Sequence, residues 1–419
     1  MDGRVLQVNI SPGGVPKHAV DAAWVDENGL AGDAHRHRYV HGGPHRAVSL
    51  LGIEAIERVQ ADGHPIEPGS VGENLTTTGI ELSRLPIGTR LAIGERLVLE
   101  LSGAAGPCDV IKGSFRGGKS GRISILIHPD DSRMYARVVT QGDVRTGDPI
   151  AILPPAGDSQ ATVFELLDLL DDVDRFAWLG LWRAADAIGC DVRIIDHGDL
   201  SAAASPDLPG SIFNRAFGLR LVPIATAEVL EMYRAAGTSG WLIDAGDEAV
   251  AAGATQAERV SVHVADVAGV APAAVKGLTI RPTEPAETAR WVEAFIEWFD
   301  VAPSLADAWR ALQPILAGRR GYTQLVAELD GELVGIAALQ THRRVGWLGA
   351  GGVRPDARGR GIQRALIAHR TALAKDTGCT RVMATADAGG ISAANLEAMG
   401  IREIWRRRHL RFDPSGTTG

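Results

Sequence analysis

The chain has 419 residues, of which 45% are hydrophobic and 22% charged, and its net charge is −8; at roughly 150 residues per domain it should hold two to four globular domains with proper cores. The acidic balance disfavours general nucleic-acid binding, and three scattered cysteines, Cys108, Cys190 and Cys379, make no disulfide framework and point to a reducing compartment. The start, Met1-Asp2-Gly3-Arg4, lacks the basic end and apolar core of a signal peptide, and no apolar run approaches the ~18 residues of a membrane span, so the cytoplasm is expected, with no membrane partner and no nucleic-acid partner.

Residues 1–153 alternate short apolar runs with glycine-containing turns. Residues 90–93, 96–101, 133–139 and 147–153 read as strands and turns. Leu50, Ile53, Ile56 and Val59 follow helical spacing, which predicts a helix over residues 50–60. Three loop clusters mix glycine with polar residues: Gly13-Gly14-Val15-Pro16-Lys17, then residues 29–48, then Gly69-Ser70-Val71-Gly72-Glu73-Asn74-Leu75. Such loops can surround an anionic ligand, and Cys108, after Pro107, is either a small core residue or a loop thiolate and soft metal ligand. The four histidines His35, His37, His41 and His45 are spaced two, four and four apart with no second ligand cluster, which is not a zinc signature.

Residues 154–160, Pro-Pro-Ala-Gly-Asp-Ser-Gln, break helix and strand alike and read as a linker. Helical patterns follow: Phe164, Leu167 and Leu170, then Phe176, Leu179, Trp182 and Ala185. A strand at residues 192–195, a helix at 225–236 and a strand at 241–244 suggest an α/β layer. After a stretch containing alanine and proline, residues 269–277, a strand opens at Leu278 and helices run to about Leu316. Asp330-Gly331 lies between two apolar runs, which is a hairpin signal.

Residues 345–353 read as a strand, 354–357 as a turn, and a helix follows with Ile362, Ala365, Leu366 and Leu373 inward and Gly378 beyond its end. Between them stands Arg358-Gly359-Arg360-Gly361-Ile362-Gln363. Free N–H groups at a helix start, the positive end of its dipole and close-approach glycines favour a diphosphate.

With the hairpin before it and the strand and helix after it, the segment resembles the GNAT acetyltransferases over residues 278–412. Their acetyl-CoA motif, Arg/Gln-x-x-Gly-x-Gly/Ala, is matched by Arg358 to Gln363, with Gln363 at a normally small position. The resemblance implies acetyl-CoA contacts from Val353, Arg358, Gly359, Arg360, Gly361, Ile362, Gln363 and Asn395, with backbone at residues 351–353 pairing the pantetheine arm. It implies a small-molecule amine acceptor. The family's frequent acid, a Tyr before a final Gly-Phe, is replaced by Met399-Gly400-Ile401, so the acid is unassigned and a CoA-sensing module without turnover stays open. His342 is either a base for the amine or a surface residue in a turn with Arg343 and Arg344, and the run Arg406-Arg407-Arg408-His409 either a solvated strand edge or an anion contact. Residues 161–275, with Phe213 to Leu219 and a helix ending Tyr233-Arg234-Ala235-Ala236-Gly237, resemble a degenerate first GNAT half that shapes the acceptor pocket.

The N-terminal clusters resemble the MOSC domain, the C-terminal module of molybdenum-cofactor sulfurases, especially its stand-alone bacterial form. Gly-Leu-x-Gly-Asp-x-His at 29–35, Gly-Gly-Pro-x-Arg-Ala-Val at 42–48, Gly-Glu-Asn-Leu at 72–75 and Pro107-Cys108 match in order. The resemblance implies a mostly-β, barrel-like fold that binds molybdopterin. It makes Cys108 the catalytic residue and the molybdenum ligand or sulfur carrier, and places Lys17, Asp33, His35, Arg46, Glu73, Asn74 and Arg36 about the cofactor. Stand-alone relatives suggest reduction of N-hydroxylated compounds, with electrons from a partner protein. The expected whole is multidomain: a MOSC domain over 1–153, a linker over 154–160, a degenerate half over 161–275 and an α/β GNAT domain with a mixed sheet and flanking helices over 278–412.

Overall fold

The computed structural model describes residues 3–34, 46–107, 109–125, 127–153, 162–197 and 199–415. They divide near Asp168 into two compact units. The linker at 154–160, the histidine cluster and Cys108 lie outside the described residues.

The first unit carries β1 (Gly3–Ile10), β2 (His18–Val20), β3 (Ala22–Asp26), β4 (Gly29–Leu30), β5 (Val48–Gly52), α1 (Ile53–Ala61), β6 (Leu75–Thr78), β7 (Arg90–Ile93), β8 (Leu97–Ala105), β9 (Arg133–Thr140), β10 (Gly142–Arg145) and β11 (Pro149–Leu153). Strands pair in the order β11-β7-β8-β9-β5-β6-β1, and β1 returns to β11 through Gly3↔Ile150 and Arg4↔Pro149. Seven described strands therefore close into a barrel, which leaves no open edge along that circuit. The alternation that marks these strands puts Val5, Leu91, Ile93, Leu99 and Leu101 inside, all essentially unexposed. The helix expected from residue 50 begins at Ile53. Leu50 and Leu51 belong to β5, whose five residues are all buried; a strand covered on both faces is a continuous apolar run, which periodicity does not separate from a helix. Ile56 and Val59 of α1 pack with Leu51, Ile66, Val71, Phe115 and Ile123.

The second unit is built on one sheet. Its elements are α2 (Val163–Ala187), β12 (Arg193–His197), β13 (Leu200–Ala204), β14 (Arg215–Phe217), α3 (Thr226–Ala236), β15 (Gly240–Ile243), α4 (Asp247–Ala251), β16 (Thr255–Asp266), β17 (Leu278–Pro282), α5 (Thr288–Trp298), α6 (Pro303–Ala317), β18 (Tyr322–Leu329), β19 (Glu332–His342), β20 (Val345–Val353), α7 (Ile362–Asp376), β21 (Arg381–Asp387), α8 (Ile391–Ala398) and β22 (Arg402–Phe412). The two helical patterns of residues 164–185 are one 25-residue helix, α2. Asp330 and Gly331 both sit at positive φ, 54° and 81°, the conformation a two-residue hairpin turn requires.

Sheet order is β12-β13-β14-β15-β22-β16-β21-β20-β19-β18-β17. The last strand of the chain thus pairs with β15, through Gly240↔Phe412 to Ile243↔His409, while β16, from the earlier segment, pairs with β21 over seven residues. Helices cover both faces. Val326, Ile336 and Ala338 pack with Trp182, Trp291, Trp309 and Leu312 from α2, α5 and α6. Leu325, Ala337, Leu339 and Leu348 pack with Ile362, Leu366 and Leu396 from α7 and α8. No helix among the described residues is long and apolar enough to cross a membrane.

Candidate active site and a second polar cluster

The parallel pairing of β20 with β21 stops early. Val345, Gly346 and Trp347 pair with Arg381, Val382 and Met383, and nothing beyond them does. From Leu348 onward β20 keeps only its β19 neighbour. There Ala338 pairs with Gly349 and Ile336 with Gly352, so Ala350 and Gly351 form a bulge, with Ala350 at φ 43°. A bulge turns backbone groups away from the ladder, and positive φ in a residue with a Cβ is strain of the kind that clusters at functional sites. The splay opens a cavity of about 570 Å³ between the two strands.

At one end of this cavity the chain leaves β20 and enters α7. Gly359 and Gly361 stand at φ 78° and 81°, Gly361 is the N-cap, and no side chain caps the helix. The first N–H groups of a 15-residue helix are thus left to an outside acceptor, at the positive end of its dipole. Arg358 and Arg360 are exposed, and Arg358 Nε donates to the Val353 carbonyl at 3.2 Å, which ties the loop to the end of β20. Gln363 does not crowd the loop. Its Oε1 accepts from Asn395 Nδ2 at 2.7 Å, its Nε2 donates to Ser392 Oγ at 3.2 Å, and Arg364 Nε donates to Asn395 Oδ1 at 3.0 Å. This network joins the start of α7 to α8. Gln363→Ala removes two of its bonds and is expected to lower the stability of the second unit by about 1 kcal/mol, read as a shift in the urea midpoint.

Arg370 lies beneath the bulge. It is 3% exposed, and Nη1 donates to the carbonyls of Gly349 at 2.9 Å and Ala338 at 3.3 Å. Burial alone pulls its pKa down to about 10, and among the described residues none of its bonds goes to a carboxylate. The far end of the cavity is aromatic, with Trp178 of α2, Phe295 of α5, Trp309 of α6 and Trp347 of β20. Tyr322, Gln340 and Trp347 lie in one cross-strand row, Tyr322↔Gln340 and Gln340↔Trp347. Burial holds the Tyr322 hydroxyl above the ordinary phenol range.

In the first unit three of the sequence-selected residues, Lys17, Asp33 and Asn74, meet. Lys17 Nζ donates to Asp33 Oδ2 at 2.6 Å, Asn74 Nδ2 donates to the same oxygen at 2.9 Å, and the Ser49 N–H donates to Asn74 Oδ1 at 3.1 Å. Burial pushes the Lys17 ammonium down while Asp33 opposes it. Glu73 is fully buried and its Oε1 accepts from the Gly69 N–H at 2.6 Å, while Oε2 has no partner among the described residues. Burial raises its carboxyl pKa. Arg46 carries its guanidinium 5.3 Å above the Tyr135 ring.

A family profile for the MOSC domain matches residues 37–151, and one for the acetyltransferase (GNAT) family matches residues 286–400. The chain joins a MOSC domain to a GNAT acetyltransferase domain. An aminoglycoside N(6′)-acetyltransferase type 1 of Stenotrophomonas maltophilia is 29% identical over 144 residues, 32% of this chain and 92% of that protein. A protein of Gibberella moniliformis named reductase is 29% identical over 130 residues, 30% of this chain, which spans 22% of that relative's length. A GCN5-related N-acetyltransferase structure from Kribbella flavida aligns over 57% of this chain and 94% of its own, at 19% identity and a TM-score of 0.41.

Within the GNAT domain, Val353 and the residues Arg358 to Gln363 that the motif singled out converge on the mouth of α7, and Asn395 reaches them through Gln363. Two other candidates fall elsewhere. His342 is stacked on Phe176 at 4.0 Å and lies 3.3 Å from Asp172, and it does not line the cavity. Arg407 is neither a solvated edge nor an anion contact. It is buried against Asp171 at 2.5 Å and Asp174, because β22 is an inner strand of the sheet. Sequence reasoning missed Tyr322, Gln340, Arg319 and Arg370. Their spacing carries no motif, and Arg370 falls on the inward face of a helix where an apolar residue is the rule; that mismatch was the one available signal. In the MOSC domain it missed Arg133, which is buried and donates Nη2 to the Gly106 carbonyl at 3.3 Å.

Proposed function

We propose that the GNAT domain transfers the acetyl group of acetyl-CoA to the nitrogen of a small-molecule amine, and that the MOSC domain binds molybdenum cofactor and reduces N-hydroxylated compounds. The observation that carries the first half is the splay of β20 from β21 beyond Trp347, with the uncapped start of α7 at its mouth. The helix start and loop amides take the pyrophosphate, and the unpaired edge of β20 takes the extended arm of the thiol. The amine nitrogen then bonds to the thioester carbon, the C–S bond breaks, the amine loses a proton and CoA leaves as the thiol. Tyr322 is the phenol among the described lining residues. Burial keeps it protonated through neutral pH, so a proton is at hand for the leaving sulfur. Amine-dependent release of free thiol from acetyl-CoA tests the transfer, and Tyr322→Phe should lower kcat about a hundredfold. Thiol release that ignores the amine would sink this reading in favour of a CoA-sensing module.

For the MOSC domain, the described residues fit an anionic group. Arg133 is buried beside the loop that leads to Cys108, bonds to no carboxylate, and leaves Nε without a partner. Cys108 would hold the metal, with Lys17, Arg46 and Arg133 on the phosphate-bearing side and Asp33, Glu73 and Asn74 ordering them. Bound molybdenum supplies two-electron redox chemistry, and the electrons come from a partner protein. Reduction of an N-hydroxylated compound consumes two electrons and two protons, releases water and yields an amine or amidine, and an amine is what the GNAT domain acylates. Metal and pterin analysis after anaerobic purification checks the first step: molybdenum present, and lost in Cys108→Ser. A chain that binds pterin but reduces no N-hydroxylated base would instead be a sulfur carrier or a cofactor-binding module.

A further inference from the structure

The far end of the GNAT cavity carries a charge that the transfer reaction itself does not use. Arg319 follows α6 and lines the cavity among aromatic side chains. Its guanidinium lies 5.5 Å over the Phe176 ring and seats in a notch of α2 at Gly180: a Cβ added there would fall 1.4 Å from Nη1. A methyl group at Gly180 therefore has no room while Arg319 points this way, so the glycine leaves this seat open to the guanidinium. No carboxylate among the described residues pairs with it, and burial lowers its pKa.

The other lining groups agree in sign. Among the described residues the cavity wall holds two guanidiniums, Arg319 and Arg370, against one carboxylate, Asp387. Neither arginine bonds to an acid. Two further polar atoms are buried and unpartnered there: Gln340 Oε1, an acceptor on a residue 1% exposed, and Trp347 Nε1, a donor. Around them stand Trp178 and Trp347, edge to face at 6.3 Å, and Phe295 and Trp309 at 4.9 Å. Two guanidiniums repel a further cation more strongly beside a low-dielectric wall than in water, so a polycation, which must set several charges along this wall against the single carboxylate of Asp387, is disfavoured. An aromatic ring gains from the apolar faces, a carboxylate gains from Arg319, and an amine N–H gains from Gln340 Oε1.

We propose that the acceptor is an aromatic amino acid: one amine, one aromatic ring and one carboxylate, with the carboxylate on Arg319, the ring among Trp178, Phe295 and Trp309, and the amine turned toward Gln340 and the bulge of β20. This rests on the acetyl-transfer reading and names its substrate class. The amine nitrogen takes the acetyl carbon, CoA leaves as the thiol, and the amine's proton is released.

The test uses the full chain with acetyl-CoA and reads thiol release with L-phenylalanine, L-tryptophan, phenethylamine, tryptamine, spermidine and kanamycin. The amino acids should exceed the amines that lack the carboxylate by at least about tenfold in kcat/KM, the worth of one charge-assisted contact, and spermidine and kanamycin should be the poorest. Arg319→Gln should collapse the ratio of acid to amine through KM, and Arg319→Lys should restore part of it, which a merely unfolded variant would not do. A preference for spermidine or kanamycin, or a ratio that Arg319→Gln leaves unchanged, overturns the proposal while leaving acetyl transfer intact. No turnover with any of the six, with acetyl-CoA still bound by calorimetry, overturns the transfer reading and this proposal with it.

Discussion

Replacing Gly359 and Gly361 together by alanine should weaken acetyl-CoA binding by roughly tenfold to a thousandfold. Both residues sit in the left-handed region, at φ 78° and 81°, where a Cβ costs about 1–2 kcal/mol per residue, and every 1.4 kcal/mol is about tenfold in affinity. The obstacle is the backbone and not crowding. A Cβ on Gly359 meets nothing within 4 Å, and one on Gly361 comes no nearer than 3.4 Å to Val275 Cγ2. The doubly substituted loop must either hold this conformation at a cost or relax and turn its N–H groups away from the phosphates. Calorimetric titration with acetyl-CoA separates the two. A relaxed loop loses affinity while the thermal midpoint holds, and a strained loop loses stability with smaller loss of affinity. Unchanged affinity together with an unchanged midpoint would remove the loop from the binding site.

Much of this end of the molecule was legible in the sequence because the information is local. Arg358 to Gln363 and the Asp330-Gly331 turn state their backbone conformations in a few residues, and β7 and β20 lie where their alternation predicts. The aromatic end of the cavity was not legible. Trp178, Phe295, Trp309, Arg319 and Gln340 come from five segments spread over 163 positions, and each alone reads as ordinary core. The exchange of strands was equally hidden: β16 between β21 and β22 is a matter of which edges meet, and pairing order is not written in any single strand. In the MOSC domain Lys17, Asp33 and Asn74 bond chiefly to one another, which composition alone does not disclose.

Arg407→Met should destabilise the second unit by about 3–5 kcal/mol, because it strands buried carboxylates that were paired. Arg407 is 2% exposed and bonds to Asp171 and Asp174, and Asp171 also takes Arg220 Nε at 2.8 Å. Burial by itself would raise the Asp171 carboxyl, yet Arg407 and Arg220 overcome it and leave the pKa below the ordinary value of 3.8. A carboxylate depressed in the folded state contributes stability that is complete above its unfolded pKa and is lost as pH falls through the folded one. The native chain should therefore hold this contribution down to about pH 4 and lose it below. The variant should respond in the opposite sense. With one guanidinium gone, Asp171 keeps only Arg220 against its burial, so its carboxyl takes up a proton at higher pH than in the native chain and mild acid partly relieves the penalty. Urea titrations between pH 4 and 7 read the difference as a flat native response against a variant that gains stability toward pH 4. Adding Asp174→Asn to Arg407→Met should recover part of the loss, since a neutral amide has no charge to strand and Asp171 keeps Arg220. If Arg407→Met alone shifts stability by less than about 1 kcal/mol, the value of a solvated surface pair, then the cluster is open to water and β22 is not held as an inner strand.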